Sequence, residues 1–201
     1  MKIDEFKTGL HDIVNNRQRI ICHNEKNHQS AVLVPLKYNY SRDMTNPANL
    51  YSIVFIRRSE NLANHPGNIA FPGGQKDMED STLVETAIRE AHEEIALERK
   101  NIEIIGMLDD EETITSNFVI TPVLAFVKQM KFKPQLDEVS EILEIPLIHL
   151  LNPENCKPAC YEYEGKQFHL TDYFFEEHKI WGATSRILTK LLQLIKDTVK
   201  S

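Results

Sequence analysis

The segment from Phe71 to Leu97, FPGGQKDMEDSTLVETAIREAHEEIAL, constrains this chain more than any other. Leu83, Ala87, Ile88, Ala91 and Ile95 recur at helical spacing, so its second half is expected to be a helix. Within that helix Arg89-Glu90-Ala91-His92-Glu93-Glu94 crowds three carboxylates into five positions. Glu90 and Glu94 are four apart and Glu93 is three after Glu90, so all three can share one face. Like charges at that spacing repel by about a few tenths of a kcal/mol per pair. A hard divalent cation turns the repulsion into attraction, because magnesium is held by carboxylates, water and phosphate oxygens. The plain alternative is a solvated acidic helix. The residues before the helix weigh against it. Phe71-Pro72 is an apolar strand end, and Gly73-Gly74 is expected to be a turn that uses glycine's access to positive φ. Asp77, Glu79, Asp80 and Ser81 offer side chains that can start the helix.

This stretch resembles the Nudix box, a glycine and an acid followed by Arg-Glu-apolar-x-Glu-Glu-x-Gly-apolar. Gly74, Arg89, Glu90, Ala91, Glu93, Glu94 and Leu97 match it. There are two departures. One residue more than usual separates Gly74 from Arg89, so the first acid is Asp80 with an insertion after it, or is displaced. Ala96 replaces the final glycine. Both departures resemble the branch of Nudix hydrolases that cleaves coenzyme A. Other segments resemble that branch too: Arg58-Ser59, Gly67 and Phe71 to Gly74 before the box, Thr121-Pro122-Val123 after it, and Trp181-Gly-Ala-Thr near the end. Ala63 stands where that branch usually has an arginine.

The resemblance implies an α/β fold, the Nudix α/β/α sandwich with a mixed sheet between helices. It spans one domain over residues 1–201, with the box at about 74–97. It implies hydrolysis of the diphosphate bond of coenzyme A or a derivative, to 3′,5′-ADP and 4′-phosphopantetheine, with Mg2+ or Mn2+. Glu90, Glu94 and then Glu93 are the expected metal ligands. Arg89 is expected to orient the acids and the loop, and Gly73 and Gly74 to bring backbone near the substrate. A box glutamate or Glu138 supplies the general base, with Glu141 next in line after Glu138. Arg57 or Arg58 is expected to meet phosphate, since a guanidinium fork suits its oxygens. Ser116, with Thr115 and Asn117, either lines the pocket or serves turn chemistry. The chemistry is coherent: a diphosphate is inert because its oxygens repel nucleophiles, and divalent metal withdraws that charge. Two alternatives stay open. One is another nucleotide substrate, such as ADP-ribose, NADH or a nucleoside triphosphate. The other is a domain that binds a nucleotide without cleaving it.

The remaining chain is expected to serve this core. Residues 1–20 form an amphipathic helix through Ile3, Phe6, Leu10, Ile13 and Val14. Ser30 to Leu36 is a strand ending at Pro35, after a loop from His23 to Gln29. Lys37 to Asn49 is a polar connection. Tyr51 to Arg58 is a central strand, and Ile102 to Leu108 and Val119 to Val127 are further strands. Asp109 to Glu112 is a solvent-facing acidic turn, and Glu144 also faces solvent. A hairpin turns at Glu164-Gly165-Lys166, Trp181 belongs to the core in preference to a role stacking on adenine, and the last helix covers 183–199. The net charge of −7 argues against a nucleic-acid partner. Three cysteines make no disulfide framework. The chain shows no apolar run for a membrane or leader, and no C-terminal peroxisomal tripeptide, so a cytoplasmic home is expected. A homodimer is compatible with this reading.

Overall fold

The computed structural model describes residues 3–22, 28–39, 47–62 and 64–200. The elements are α1 (Ile3–Asn16), β1 (His28–Tyr38), α2 (Pro47–Leu50), β2 (Tyr51–Arg58), β3 (Ile69–Ala70), β4 (Gly73–Gln75) and α3 (Leu83–Ile95). They continue with β5 (Ile102–Met107), β6 (Glu111–Glu112), β7 (Phe118–Val127), β8 (Val139–Pro146), α4 (Leu147–Leu151), β9 (Cys156–Tyr163), β10 (Lys166–Phe175), β11 (His178–Ile180) and α5 (Gly182–Lys200).

The two longest strands of the main sheet make its spine. β1 and β7 pair in parallel from His28 opposite Phe118 to Lys37 opposite Val127. β5 and β6 pair antiparallel with β7, and β8 with β2. β1 and β2 pair antiparallel only from Leu36–Ile53 to Tyr38–Tyr51, and then part. The chain from 69 to 75 fills the gap between them: β3 pairs with β2, and β4 with β1. The result is an eight-stranded mixed sheet.

Alternation along the strands assigns its two faces. Ala31, Leu33, Val54 and Ile56 pack against Ala87, Ala91 and Ile95 of α3. Val34, Leu36, Ile53 and Phe55 face the other way, against Phe6 and Leu10 of α1 and Leu188 and Leu191 of α5. This is the expected α/β/α sandwich. Among the described residues no helix is long and apolar enough to cross a membrane.

Several local expectations need correction. β1 begins at His28 and runs through Pro35 to Tyr38. Leu33 N–H bonds Pro72 O on the side of β4, and by period-two alternation the Pro35 nitrogen points to that same side. There it falls between the end of the β4 pairing at Val32 and the start of the β2 pairing at Leu36, so its missing donor interrupts no ladder. The hairpin at Glu164-Gly165 exists, with both residues at positive φ. It belongs to a separate three-stranded sheet of β9, β10 and β11. Glu144 is exposed, as expected, and Lys37 pairs with it at 2.5 Å.

The acidic turn is the largest reversal. Asp110 and Glu111 are each only 6% exposed. Asp109 pairs with Arg17 at 2.5 Å, Asp110 with Arg19 and the Thr121 hydroxyl, and Glu111 with Arg186 and Lys190. These ion pairs tie the segment after α1, the β6 region and α5 together.

Helix α3 starts on Thr82, whose hydroxyl accepts from Glu85 N–H at 3.2 Å, and not on the acids before it. It ends on Ala96, held left-handed at φ 55, with Ala96 N–H bonding His92 O and Leu97 N–H bonding Ala91 O. Alanine pays a steric penalty there that glycine does not. Ala96→Gly should therefore stabilise the fold by about 0.5–1 kcal/mol. Urea unfolding would check this, and a lowered midpoint would contradict it.

Candidate active site

The site is assembled where β1 and β2 part. Gly73 comes so close to β1 that a Cβ there would lie 2.4 Å from Ala31 O and 2.5 Å from Val32 Cα. The demand for glycine is this approach. Gly73 and Gly74 form strand β4 and not the expected turn. In this position Gly73 N–H donates to Glu94 Oε2 at 2.8 Å. Gly74 backs onto Glu90: a Cβ at Gly74 would fall 2.5 Å from the Glu90 carboxyl. The two carboxylates expected to be first among the ligands are thus seated against a glycine backbone that leaves room for them.

Arg89 fastens loop to helix. Its guanidinium forks onto Asp80 at 3.1 and 2.9 Å and donates to Glu90 at 2.9 Å, Glu93 at 3.1 Å and the Gln75 carbonyl at 3.1 Å. Asp80 is 8% exposed, and the Arg89 guanidinium holds its carboxyl well below the usual range. Asp80 is therefore the acid before α3 that Arg89 holds most closely, and the helix itself begins at Leu83. Arg89 is raised in turn, first by Asp80.

The three box glutamates end up in different surroundings. Glu94 is 2% exposed, and burial pushes its carboxyl up to about 8, against the Gly73 N–H and the charge of Arg58. Glu90 is half-buried and raised by the same loss of solvent, with Arg89 opposing. Glu93 is more than half exposed and leans on Arg89.

The other expected residues separate by face. Ile56 faces α3 and Phe55 faces α1 and α5, so Arg58 follows Ile56 and Arg57 follows Phe55. Arg58 acts on Glu94. Arg57 pairs with Glu60 at 2.6 Å on the other face. Glu138 lies in the turn before β8, and its charge raises both Glu90 and Glu94. Glu141 lies on the opposite face, 3.5 Å from His178. Ser116 sits in a loop closed by bonds between Thr113 and Phe118, beyond the His28 end of β1 and away from Gly73. Asn117 beside it is left-handed, at φ 54, which fits turn chemistry. Ala63 lies outside the described residues. Trp181 is 39% exposed and not in the core.

Sequence reading missed what holds Glu138 in place. Lys133 N–H and Gln135 N–H donate to Ile95 O and Glu94 O at the end of α3, at 3.2 and 2.9 Å. Helix C-termini leave such carbonyls free, so the signal lies in geometry, not in residue type. Ser59 N–H binds Glu138 O at 2.8 Å and joins this loop to the end of β2.

The donors Glu90, Glu94 and Glu93 are all oxygen, and the Gly74 cradle leaves the Glu90 carboxyl space; both fit a hard cation. Among the described residues no three His, Cys, Asp or Glu side chains are grouped so as to hold a metal ion as they stand.

A mixed sheet between helices, with an acidic helix seated under a glycine strand, defines the class of fold. The NUDIX domain family model matches residues 41–159, and the chain belongs to the Nudix hydrolase family. It is 33% identical over 170 residues to the protein named uncharacterized Nudix hydrolase NudL of Pectobacterium atrosepticum, covering 84% of this chain and 83% of that one. The protein of the same name from Yersinia enterocolitica is 32% identical over 169 residues, covering 84% and 82%. Among solved structures, a MutT/nudix family protein from Enterococcus faecalis matches with a TM-score of 0.60 at 18% identity, over 98% of this chain and 70% of that one.

Two glycine variants should behave differently. Gly73→Ala meets backbone at 2.4 Å and should lower stability by about 2 kcal/mol or more. Gly74→Ala meets only the end of the Glu90 side chain, so it should leave thermal stability nearly unchanged while displacing that carboxyl. Paired melting curves and activity assays would check this.

Metal-free protein should also lose stability as pH rises. The unfolded Glu94 carboxyl ionises near its ordinary 4.5 and the folded one near 8. Between those values the folded state holds the extra proton, so stability falls through that window by something on the order of a few kcal/mol. Glu94→Gln should flatten this part of the curve. Chemical denaturation of both proteins in chelator, from pH 5 to 8, would measure it.

Proposed function

We propose that this chain is a metal-dependent diphosphate hydrolase that splits coenzyme A or a close derivative into 3′,5′-ADP and 4′-phosphopantetheine. The observation that carries the hydrolase reading is the convergence of Glu90 and Glu94 on the Gly73-Gly74 backbone, with Arg58 and Glu138 acting on the same pair. The coenzyme A reading rests on the sequence segments that resemble that branch.

In this reading Glu90 and Glu94 would hold Mg2+ or Mn2+, joined by Glu93 once it leaves Arg89. Such an ion supplies charge withdrawal from phosphorus and a lowered pKa for a bound water. The chain's own groups do the positioning. Gly73 N–H holds Glu94 Oε2 in a fixed direction. Arg89 clamps the Asp80 loop to α3 and keeps Glu90 oriented. Arg58 offers a guanidinium on the acidic face for a phosphate oxygen. Glu138, exposed on a loop docked to the end of α3, is free to take a proton from an attacking water.

Ala63 favours a second reading, another nucleoside diphosphate derivative such as ADP-ribose or NADH, because the coenzyme A branch usually carries an arginine there.

Purified protein incubated with coenzyme A, ADP-ribose and NADH, with and without Mg2+ or Mn2+, should give metal-dependent 3′,5′-ADP fastest from coenzyme A, read by mass. Faster cleavage of another substrate would replace the coenzyme A assignment and keep the chemistry. Glu94→Gln should fold normally and lose about 100-fold or more in rate, as losing a charge-stabilising group commonly does. A variant as fast as the parent would remove Glu94 from the metal site.

A further inference from the structure

Strand β8 carries one residue more than its pairing with β2 needs. Val54–Glu144, Phe55–Leu143, Ile56–Ile142 and Arg57–Glu141 follow in step, and the next pair is Arg58–Val139. Ser140 is the residue left over between them, a β-bulge. The two faces do not require it. Glu141 shares the face of its partner Arg57, and Val139 packs with Ile56 in the cluster that α3 covers. A regular ladder without Ser140 would put both on the same faces.

The extra residue makes its own bonds across the slip. The Ser140 hydroxyl donates to Arg57 O at 3.1 Å and shares its proton with Arg58 O at 3.4 Å. Arg58 has further support: its N–H donates to Asn68 O at 3.0 Å, and its carbonyl accepts from Gly67 N–H at 3.1 Å. One residue on, Ser59 N–H binds Glu138 O at 2.8 Å. Ser140 therefore ties the end of β2, which carries Arg58, to the start of β8, which follows Glu138. Both of those side chains act on Glu94, and Glu138 acts on Glu90 as well. A bulge bends its strand and sharpens the twist, and beside an active site it re-aims a side chain. Resting on the hydrolase reading above, we propose that Ser140 is a positioning residue: its hydroxyl fixes the bulge that directs Glu138, the proton acceptor of that reading, toward Glu90 and Glu94.

Ser140 is exposed, so Ser140→Ala should fold. It is assayed with Mg2+ on whichever of coenzyme A, ADP-ribose and NADH the parent cleaves fastest. Its kcat should fall about 10-fold, below the roughly 100-fold that a misplacement of about 1 Å can cost. Arg58 keeps its bonds to Gly67 and Asn68, so KM should stay within about twofold. Ser140→Thr keeps a hydroxyl and should recover most of the rate. Groups that act as a unit lose activity non-additively, so in a Glu138→Gln background Ser140→Ala should cost less than about twofold more. The full loss in that background would overturn the proposal and leave the hydrolase reading intact. So would an unchanged kcat in the single variant. A parent protein that cleaves no diphosphate would remove the hydrolase reading and the role of Glu138 as proton acceptor. Amide exchange then decides the geometry: Ser59 N–H, held by Glu138 O, should exchange several-fold faster in Ser140→Ala, while the core amides of α5 keep their rates. An unchanged Ser59 rate would overturn the tie itself.

Discussion

The approach of Gly73 to β1 is the constraint on which the site depends. β1 and β2 part after three paired residues, and the gap needs backbone to fill it. Only a residue without a side chain fits there, since a Cβ would lie 2.4 Å from Ala31 O and 2.5 Å from Val32 Cα. Once it is there, its N–H points at Glu94, and the next glycine makes room for Glu90. The cradle and the sheet geometry are therefore one feature. The cost falls on Glu94, a carboxylate stripped of water with one backbone donor for company.

The two acidic runs show how the same residue type can serve opposite ends. Around Glu90 to Glu94, Arg89 is shared among Asp80, Glu90 and Glu93, and the charge of Arg58 acts on Glu94 without outweighing its burial. Around Asp109 to Glu111 each acid has its own cation from a distant part of the chain: Arg17, Arg19, Arg186 or Lys190. A buried charge with a dedicated partner is structural, and one without is reactive or ready for a ligand. Sequence shows the acids in both cases and conceals the partners, because those are some 75 to 95 positions away in the acidic-turn network.

The legible part of the site was the part built from local spacing. Glu90, Glu93 and Glu94 sit on one helix whatever that helix packs against, and Arg89 lies within reach of two of them. The illegible part came from parity and docking. Arg57 and Arg58 look equivalent as a pair, yet strand alternation sends them to opposite faces, and only the packing of Ile56 and Phe55 says which face is which. Glu138 and Glu141 are similar acids three residues apart. The register shift in β2–β8 pairing at Arg57 and Arg58, and the docking of 133–135 on α3, leave one near the carboxylates and the other beside His178. Trp181 looked like core because large aromatics usually are; a second sheet holds it at the surface instead.

By itself the sequence determined the helix, its row of acids, the glycine pair before it and the alternation that makes a two-faced sheet, because periodicity and backbone freedom act over a few residues. The tertiary structure decided which glutamate loses its water, which arginine faces it, that the second acidic run is neutralised and that the one tryptophan stays open. Those outcomes depend on burial and on partners distant along the chain, which no local pattern encodes.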